Sequence, residues 1–317
     1  MAVAEFDLIK RFFASLPQHG RGVGLGIGDD CALLEVPDGQ QLAVSIDTLV
    51  EGTHFLPGIP AEQLAYRALG ACVSDLAAMG AEPAWLTLAL TLPESDPDWL
   101  EGFSRGLGEG MARYGLSLVG GDTTRGHRAL SLQVHGWVPK GKALTRRGAQ
   151  PGDSIWVSGT LGDAMAGLDQ LQTQADQDPY LLGRFYRPSA RIELGLALRE
   201  IASAALDISD GLLADLSHLL QHQDLGAELQ LAQIPLSDAL LDRYPEQQAL
   251  NWALGGGEDF ELCFCVPANR RQQWLEKLPG LSVSCREIGA ICRKPGLIGV
   301  DRQGNRRPMA ASGYQHF

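Results

Sequence analysis

Apolar and polar positions along the chain switch repeatedly between two periods, the signature of strands alternating with helices. Leu42, Val44 and Ile46 fall at every second position with Ser45 and Asp47 between them, which predicts a strand with two unlike faces. Over 61–79, Leu64, Ala68, Cys72, Leu76 and Met79 recur at three- and four-residue spacing, which predicts a helix that Gly80 and Pro83 end. A strand over 84–92 follows. Trp99, Phe103, Leu107, Met111 and Tyr114 mark a second amphipathic helix stopped by Gly115, and Leu130, Leu132 and Val134 mark another strand. The turn Pro151-Gly152-Asp153 opens a strand at Ile155, and the glycine-rich Gly159-Thr-Leu-Gly162 leads into a helix. Ser189 is placed to cap a helix over 190–205, Leu212, Leu213, Leu216, Leu219 and Leu220 form a helical stripe, and 258–266 alternates as a strand. Basic and turn-forming residues interrupt the periodicity over 145–152. The pattern therefore predicts an α/β protein in two domains, 1–148 and 149–317.

The composition suits that picture. With 317 residues, 45% apolar and 20% charged, the chain can bury a core, and wholesale disorder is excluded. Its 26 basic against 38 acidic residues, a formal charge of −12, disfavour nucleic acid and anionic membranes as partners. The start, Met1-Ala-Val-Ala-Glu-Phe-Asp7, lacks a basic segment followed by an apolar one, and the densest apolar run, 84–92, is far short of a bilayer span. The six cysteines make neither a C-x-x-C pair nor a zinc spacing, and Cys263 and Cys265 share one strand face as packing residues. A reducing cytoplasm is the expected compartment.

Two phosphate-binding patterns fail on inspection. Gly136-Trp-Val-Pro-Lys-Gly-Lys142 approaches the phosphate-loop motif, but Ala143 stands where a metal-binding hydroxyl is needed, and no helix follows. Glycines 20, 22, 24, 26 and 28 fall at every second residue and never form G-x-G-x-x-G. What remains is a series of carboxylates at the ends of apolar segments, each beside glycine or a small residue. They are Gly28-Asp-Asp30, Ser45-Ile-Asp47, Ser74-Asp75, Gly120-Gly-Asp122, Asp207-Ile-Ser-Asp210-Gly and Gly256-Gly-Glu-Asp259. Any one of them also suits an Asx-turn or a helix cap. Asp75 is the least turn-like: late in an apolar helix, it opposes the helix dipole. Mg²⁺ takes hard oxygen ligands and bridges carboxylates to phosphates, and glycine lets backbone approach phosphate closely. Together the series points to an acidic, metal-dependent, nucleotide-using enzyme.

On these residues the chain resembles the thiamine-phosphate kinase family. The resemblance runs nearly end to end through Gly28-Asp-Asp30, Asp47-Thr-Leu-Val-Glu-Gly-Thr-His-Phe55, Ser74-Asp-Leu-Ala-Ala-Met-Gly-Ala81, Leu118-Val-Gly-Gly-Asp-Thr-Thr-Arg125, Val138-Pro-Lys-Gly-Lys-Ala-Leu-Thr-Arg146, Asp207-Ile-Ser-Asp-Gly-Leu212, Gly256-Gly-Glu-Asp-Phe-Glu-Leu262 and Gly313-Tyr-Gln-His-Phe317. It implies the two-domain fold shared with aminoimidazole ribonucleotide synthetase. An N-terminal ATP- and Mg²⁺-binding domain would dimerise through its sheet, and a C-terminal α/β (α+β) domain would close over the site. It implies phosphorylation of thiamine monophosphate by ATP, directly and without a phosphoenzyme. By the same resemblance, several Mg²⁺ ions would be held by Asp30, Ser45, Ile46 (through its carbonyl), Asp47, Asp75, Asp122, Asp207 and Asp210. ATP would be held by Gly121, Asp122, Arg146 and Ser209, and thiamine monophosphate by His54, Glu258 and Tyr314. Asp47, Asp122 and Arg146 would be the groups closest to the chemistry. Arg147 departs from the family's small residue, and Phe260 stands where Tyr is common, but neither touches a proposed metal ligand. The competing expectations are another ATP-dependent synthetase of the superfamily, of the aminoimidazole ribonucleotide or selenophosphate type, and a non-catalytic divalent-cation-binding protein. Residues 10–29 hold no Cys, against the selenophosphate type.

Overall fold

The computed structural model describes residues 8–13 and 16–314. The N-terminal stretch 1–7 inspected for a leader, and Gln315, His316 and Phe317 of the tail motif, lie outside them. The chain divides into two compact units, Met1–Leu76 with Ala81–Gly141, and Ala77–Gly80 with Lys142–Phe317.

In the first unit, β1 (Val23–Leu25) and β2 (Leu33–Leu34) form a small hairpin. β3 (Gln40–Val50), β4 (Glu82–Leu92), β5 (Ser117–Arg125) and β6 (Ala129–Pro139) form a sheet in the order β3-β6-β4-β5, antiparallel except for the β4–β5 pair. Two helices form where the apolar spacing predicts them. α1 (Ala61–Ala78) buries Leu64, Leu69, Cys72 and Leu76, and α2 (Pro97–Tyr114) buries Phe103, Leu107 and Met111. Asp96 caps α2 by accepting from the N–H groups of Asp98 and Trp99, and Gly115 closes it in the left-handed conformation. The strand around Leu42 is present, but its apolar side faces outward: Leu42, Val44 and Ile46 are 46%, 49% and 60% exposed. Ser45 instead points at α1, where its hydroxyl donates to the Asp75 carboxylate. The near-match to a phosphate loop is settled too, since Gly136 lies inside β6, paired with Ala43 and Pro83.

The second unit holds, among the described residues, a seven-stranded sheet. Its strands are β7 (Ser154–Ser158), β8 (Ala204–Ile208), β9 (Gly226–Gln230), β10 (Glu261–Val266), β11 (Cys285–Cys292), β12 (Gly296–Val300) and β13 (Arg306–Met309). The order is β13-β12-β9-β11-β7-β10-β8, antiparallel except for β9–β12. Around it lie α3 (Asp163–Thr173), α4 (Pro179–Tyr186), α5 (Ile192–Leu198), α6 (Leu212–Gln221), α7 (Asp238–Arg243), α8 (Glu246–Gly255) and α9 (Arg271–Lys277). Largely antiparallel sheets with appended helices make the architecture α+β rather than doubly wound. Both faces of the large sheet are covered. Ile155, Val157, Leu206 and Cys263 enter one core, and their strand neighbours Trp156, Ala205, Leu262 and Phe264 enter another with Trp274.

That double coverage corrects two sequence expectations. The strand expected over 258–266 begins at Glu261, and all six of its residues are buried, so its periodicity carries no information about facing. Residues 258–260 are a loop in which Glu258 (φ 65°) and Phe260 (φ 51°) adopt left-handed backbone. The helix expected over 190–205 shrinks to α5, with Arg191 rather than Ser189 at its N-cap position. Ala204 to Ile208 pair with β10 instead, because a short run of small and apolar residues gains more as a buried strand than as a helix end.

Candidate active site

The first unit gathers its expected residues into two places. At one, β3 carries Ser45, Ile46 and Asp47, with Asp75 opposite on α1. The pair Asp47 and Asp75 is registered by Cys72, whose buried thiol is pushed well up by desolvation first and by these two carboxylates next. At the other, a cavity of about 570 Å³ is lined by Gly28, Asp29, Asp30, Gly120, Gly121, Asp122 and Thr123. That volume is the size of an ordinary small-molecule site. Its floor exists because β5 bulges. Leu86 pairs with Leu118 and Thr87 with Gly120, so Val119 is the extra residue, just before the Gly120-Gly121-Asp122 stretch of the same strand. A Cβ on Gly121 would lie 2.1 Å from the Leu88 carbonyl oxygen, so only glycine lets β5 run this close to β4.

The two places are distinct. Asp47, Leu132, Leu88 and Gly121 form one row across the sheet, so Asp47 and the Gly121–Asp122 pair occupy opposite edges. Three strand spacings separate them, roughly 14 Å. Among the described residues no group of three or more His, Cys, Asp or Glu converges as a ready-made ion cage. The donor chemistry nevertheless fits Mg²⁺, which characteristically takes one or two carboxylates and completes its shell with water and substrate phosphate.

His54 follows β3 in a tight turn. Its Nδ1 accepts from the Val50 N–H at 3.0 Å, while the His54 backbone N–H donates to the Val50 carbonyl at 2.9 Å. Accepting at Nδ1 leaves the imidazole proton on Nε2, as a donor.

In the second unit, Arg146 is exposed in the segment before β7. The other expected residues meet at one loop between β8 and α6. Asp207 is buried at the end of β8, and Ser209 and Asp210 form the loop itself. The loop's carbonyls hold the substrate candidates. Ser209 O accepts from the Glu258 N–H at 2.8 Å, Ile208 O from the Phe260 N–H at 2.9 Å, and Asp210 O from the Tyr314 N–H at 3.1 Å. Asp215, in the first turn of α6, accepts at one carboxylate oxygen from the N–H groups of Ser209, Asp210 and Gly211 at 3.0, 3.0 and 3.1 Å. Burial and then the Asp210 charge push its pKa up to about 6.

Behind residues 258–260 lies an ionic cluster. Glu261 is fully buried and accepts from Ser158 Oγ (2.5 Å), Arg184 Nη2 (2.9 Å) and Arg191 Nε (2.7 Å). Burial raises its pKa, but the two guanidiniums more than offset this and hold it below the usual carboxylate range. Asp259 accepts from the Gly162 N–H at 2.8 Å, ahead of α3. Burial pushes its pKa from 3.8 to about 8, against the opposing pull of Arg184. A carboxyl raised by folding contributes stability that is complete below its unfolded pKa and lost as pH rises through its folded one. Thermal stability should therefore fall between pH 4 and pH 8 in part through Asp259. Asp259→Asn is expected to flatten that slope in melting curves taken across the range, and parallel profiles for the two proteins would remove Asp259 as its cause.

Residues 28–138 match the AIR synthase related protein N-terminal domain, and residues 150–302 match the C-terminal domain of the same family. The thiamine-monophosphate kinase of Escherichia coli K12 is 50% identical over 322 aligned residues, covering 100% of this chain and 99% of that one. The chain belongs to the thiamine-monophosphate kinase family. A crystal structure of thiamine-monophosphate kinase from Stenotrophomonas maltophilia superimposes with a TM-score of 0.85 at 42% identity, over 94% of this chain and 97% of that one. AaThiL complexed with AMPPCP and TMP superimposes with a TM-score of 0.79 at 32% identity, over 98% and 96%.

Within this kinase-family fold, sequence reasoning missed Asp215 and the Arg184–Arg191–Glu261 cluster. For Asp215 only a weak signal was present: a lone carboxylate among leucines, but in the first turn of a helix, where it suits the dipole that Asp75 in α1 opposes. For the arginines none was, because their partner lies 70 or more residues along the chain.

Proposed function

We propose that this chain phosphorylates thiamine monophosphate to thiamine diphosphate with ATP, by direct in-line transfer of the γ-phosphoryl group. The observation that carries this is the coincidence of a full-length relative at 50% identity with a cavity framed by Gly28-Asp-Asp30 and Gly120-Gly-Asp122. The attacking oxygen belongs to a phosphate that is already ionised near neutral pH, so no general base is needed. The task of the side chains is positioning and charge compensation.

Asp30 and Asp122 would hold Mg²⁺ at the cavity, Ser45, Asp47 and Asp75, with the Ile46 carbonyl, would hold it at the second place, and Asp207 and Asp210 would hold it in the other unit. When bound there, Mg²⁺ would neutralise charge on the phosphoryl oxygens. Gly121 gives the nucleotide close access to backbone. Arg146, with Ser209, grips phosphate oxygens, using a planar fork that suits them. His54 Nε2–H donates to the acceptor's phosphate. Glu258 accepts from its aminopyrimidine, and the exposed Tyr314 ring stacks on its heterocycles. We further propose a homodimer formed through the first unit's sheet. Its support is the exposed Leu42, Val44 and Ile46 on edge strand β3, an apolar strand edge that a monomer would leave open. No helix among the described residues is long and apolar enough to cross a membrane, and we place the reaction in the cytoplasm.

The test is ADP release with thiamine monophosphate, thiamine or purine-pathway intermediates as acceptors, with and without Mg²⁺. Release only with thiamine monophosphate and Mg²⁺ is expected; release with thiamine but not its phosphate would overturn the assignment. Tyr314→Ala is expected to raise KM for thiamine monophosphate about tenfold, the worth of one aromatic and cation–π contact, with kcat little changed. An unchanged KM would remove Tyr314 from the substrate site.

A further inference from the structure

A strand–loop–helix junction ordinarily presents its loop and first-turn N–H groups to an anion, because these donors lack partners and lie at the positive end of the helix dipole. The β8–α6 junction has that form but a different occupant. The N–H groups of Ser209, Asp210 and Gly211 all turn inward onto one oxygen of Asp215, which is 3% exposed. Gly211, at the N-cap position, offers no side chain to do this. With its donors consumed internally, the loop has only its carbonyl oxygens and the side chains of Ser209 and Asp210 left to offer.

Those carbonyls are already engaged. Ser209 O holds the backbone of Glu258, and Asp210 O holds that of Tyr314. The tail is also pressed onto the loop, since a Cβ on Gly313 would lie 2.6 Å from Asp210 O and 2.4 Å from Ala214 Cβ. One buried carboxylate thus sets the orientation of three peptide planes, and those planes set the places of Asp210, Glu258 and Tyr314.

We propose that Asp215 is a positioning residue that keeps the backbone N–H groups of the β8–α6 loop from anions, so that the loop offers the Asp210 carboxylate to a cation, and that holds both thiamine-monophosphate contacts of this unit in register. The proposal rests on the kinase function and on the roles given above to Glu258 and Tyr314.

The experiment is steady-state kinetics with thiamine monophosphate and Mg²⁺ varied separately, for Asp215→Ala, Asp215→Asn, Glu258→Gln, Tyr314→Ala and the Asp215→Ala/Tyr314→Ala double variant. Asp215→Ala is expected to raise both KM for thiamine monophosphate and the Mg²⁺ concentration for half-maximal rate about tenfold or more, the usual scale for a residue that orients a ligand-bearing loop. Asp215→Asn keeps an acceptor oxygen and should recover most of both. The double variant should raise KM by less than the product of its single variants, because Asp215 acts through Tyr314. A purely structural residue would lower the active fraction, and hence apparent kcat, without moving either concentration. That result in a folded Asp215→Ala would overturn the proposal. Were Asp215→Ala not to fold, Asp215→Leu, which fills the volume without an acceptor oxygen, supplies the same decision: a raised KM and Mg²⁺ requirement support the proposal, and unchanged constants overturn it. Unchanged KM in both Glu258→Gln and Tyr314→Ala would instead sink the substrate-site assignment on which the proposal stands.

Discussion

Asp122→Asn is expected to lower kcat about 100-fold, the equivalent of about 3 kcal/mol of transition-state stabilisation, and to raise the Mg²⁺ concentration needed for half-maximal rate. Asp47→Asn should do the same. The two residues reach this outcome from different positions. Asp122 lines the cavity beside Gly121, where the missing Cβ lets the strands close up, and Asp47 sits at the opposite sheet edge with Asp75. Asparagine keeps the shape and one acceptor oxygen but loses the charge that binds a hard cation. Rates measured over a Mg²⁺ titration separate a ligand from a mere structural polar group. Near-normal turnover of both variants at limiting Mg²⁺ would remove these carboxylates from the metal sites.

The largest stability effect should come from Glu261→Ala. Arg184 and Arg191 converge on this carboxylate with side chains only 11% and 20% exposed, and Ser158 completes its hydrogen bonds. Removing one member of a buried pair strands the other charge, at a cost of about 3–5 kcal/mol. Here two guanidiniums lose this partner, and Arg184 keeps the more distant Asp163, at 3.7 Å. The variant should lose on the order of 10 °C in melting temperature. Glu261→Gln, which retains the volume and an acceptor, should lie between it and the parent chain. A loss below about 1 kcal/mol in denaturant unfolding would mean that water reaches the guanidiniums and that the cluster is screened as a surface pair would be.

Much of the fold was legible because some faces are half-solvated. α1 and α2 each bury one stripe and expose the other, so Leu64, Cys72 and Leu76, or Phe103, Leu107 and Met111, announce themselves by spacing. Legibility fails where both sides are covered. β10 is buried throughout, so the loop at Glu258 and Phe260 could not be told from the strand that follows it. The run from Ile201 to Ile208 is apolar enough for a helix and becomes a strand only because β10 is there to pair with it. The carboxylates were visible singly, each beside glycine or a small residue at the end of an apolar segment. Their grouping was not, because sheet order decides it: β3 and β5 are the two edges, so Asp47 and Asp122 part company, while the β5 bulge brings Asp122 and Asp30 to the same cavity. β3 was read with the right two faces and nothing to say which of them points out. The answer is the apolar one.

The division into units has a consequence for anyone who recombines them. Residues 77–80 close the second unit, packing Ala77 and Ala78 against Leu144, Leu194 and Leu198, although they are encoded between segments of the first. A chimera joined at a single crossover near residue 141 would inherit this four-residue patch from the wrong parent. Module exchange between members of this family needs three junctions, and homologous recombination at one point should yield folded hybrids only between parents that agree at 77–80.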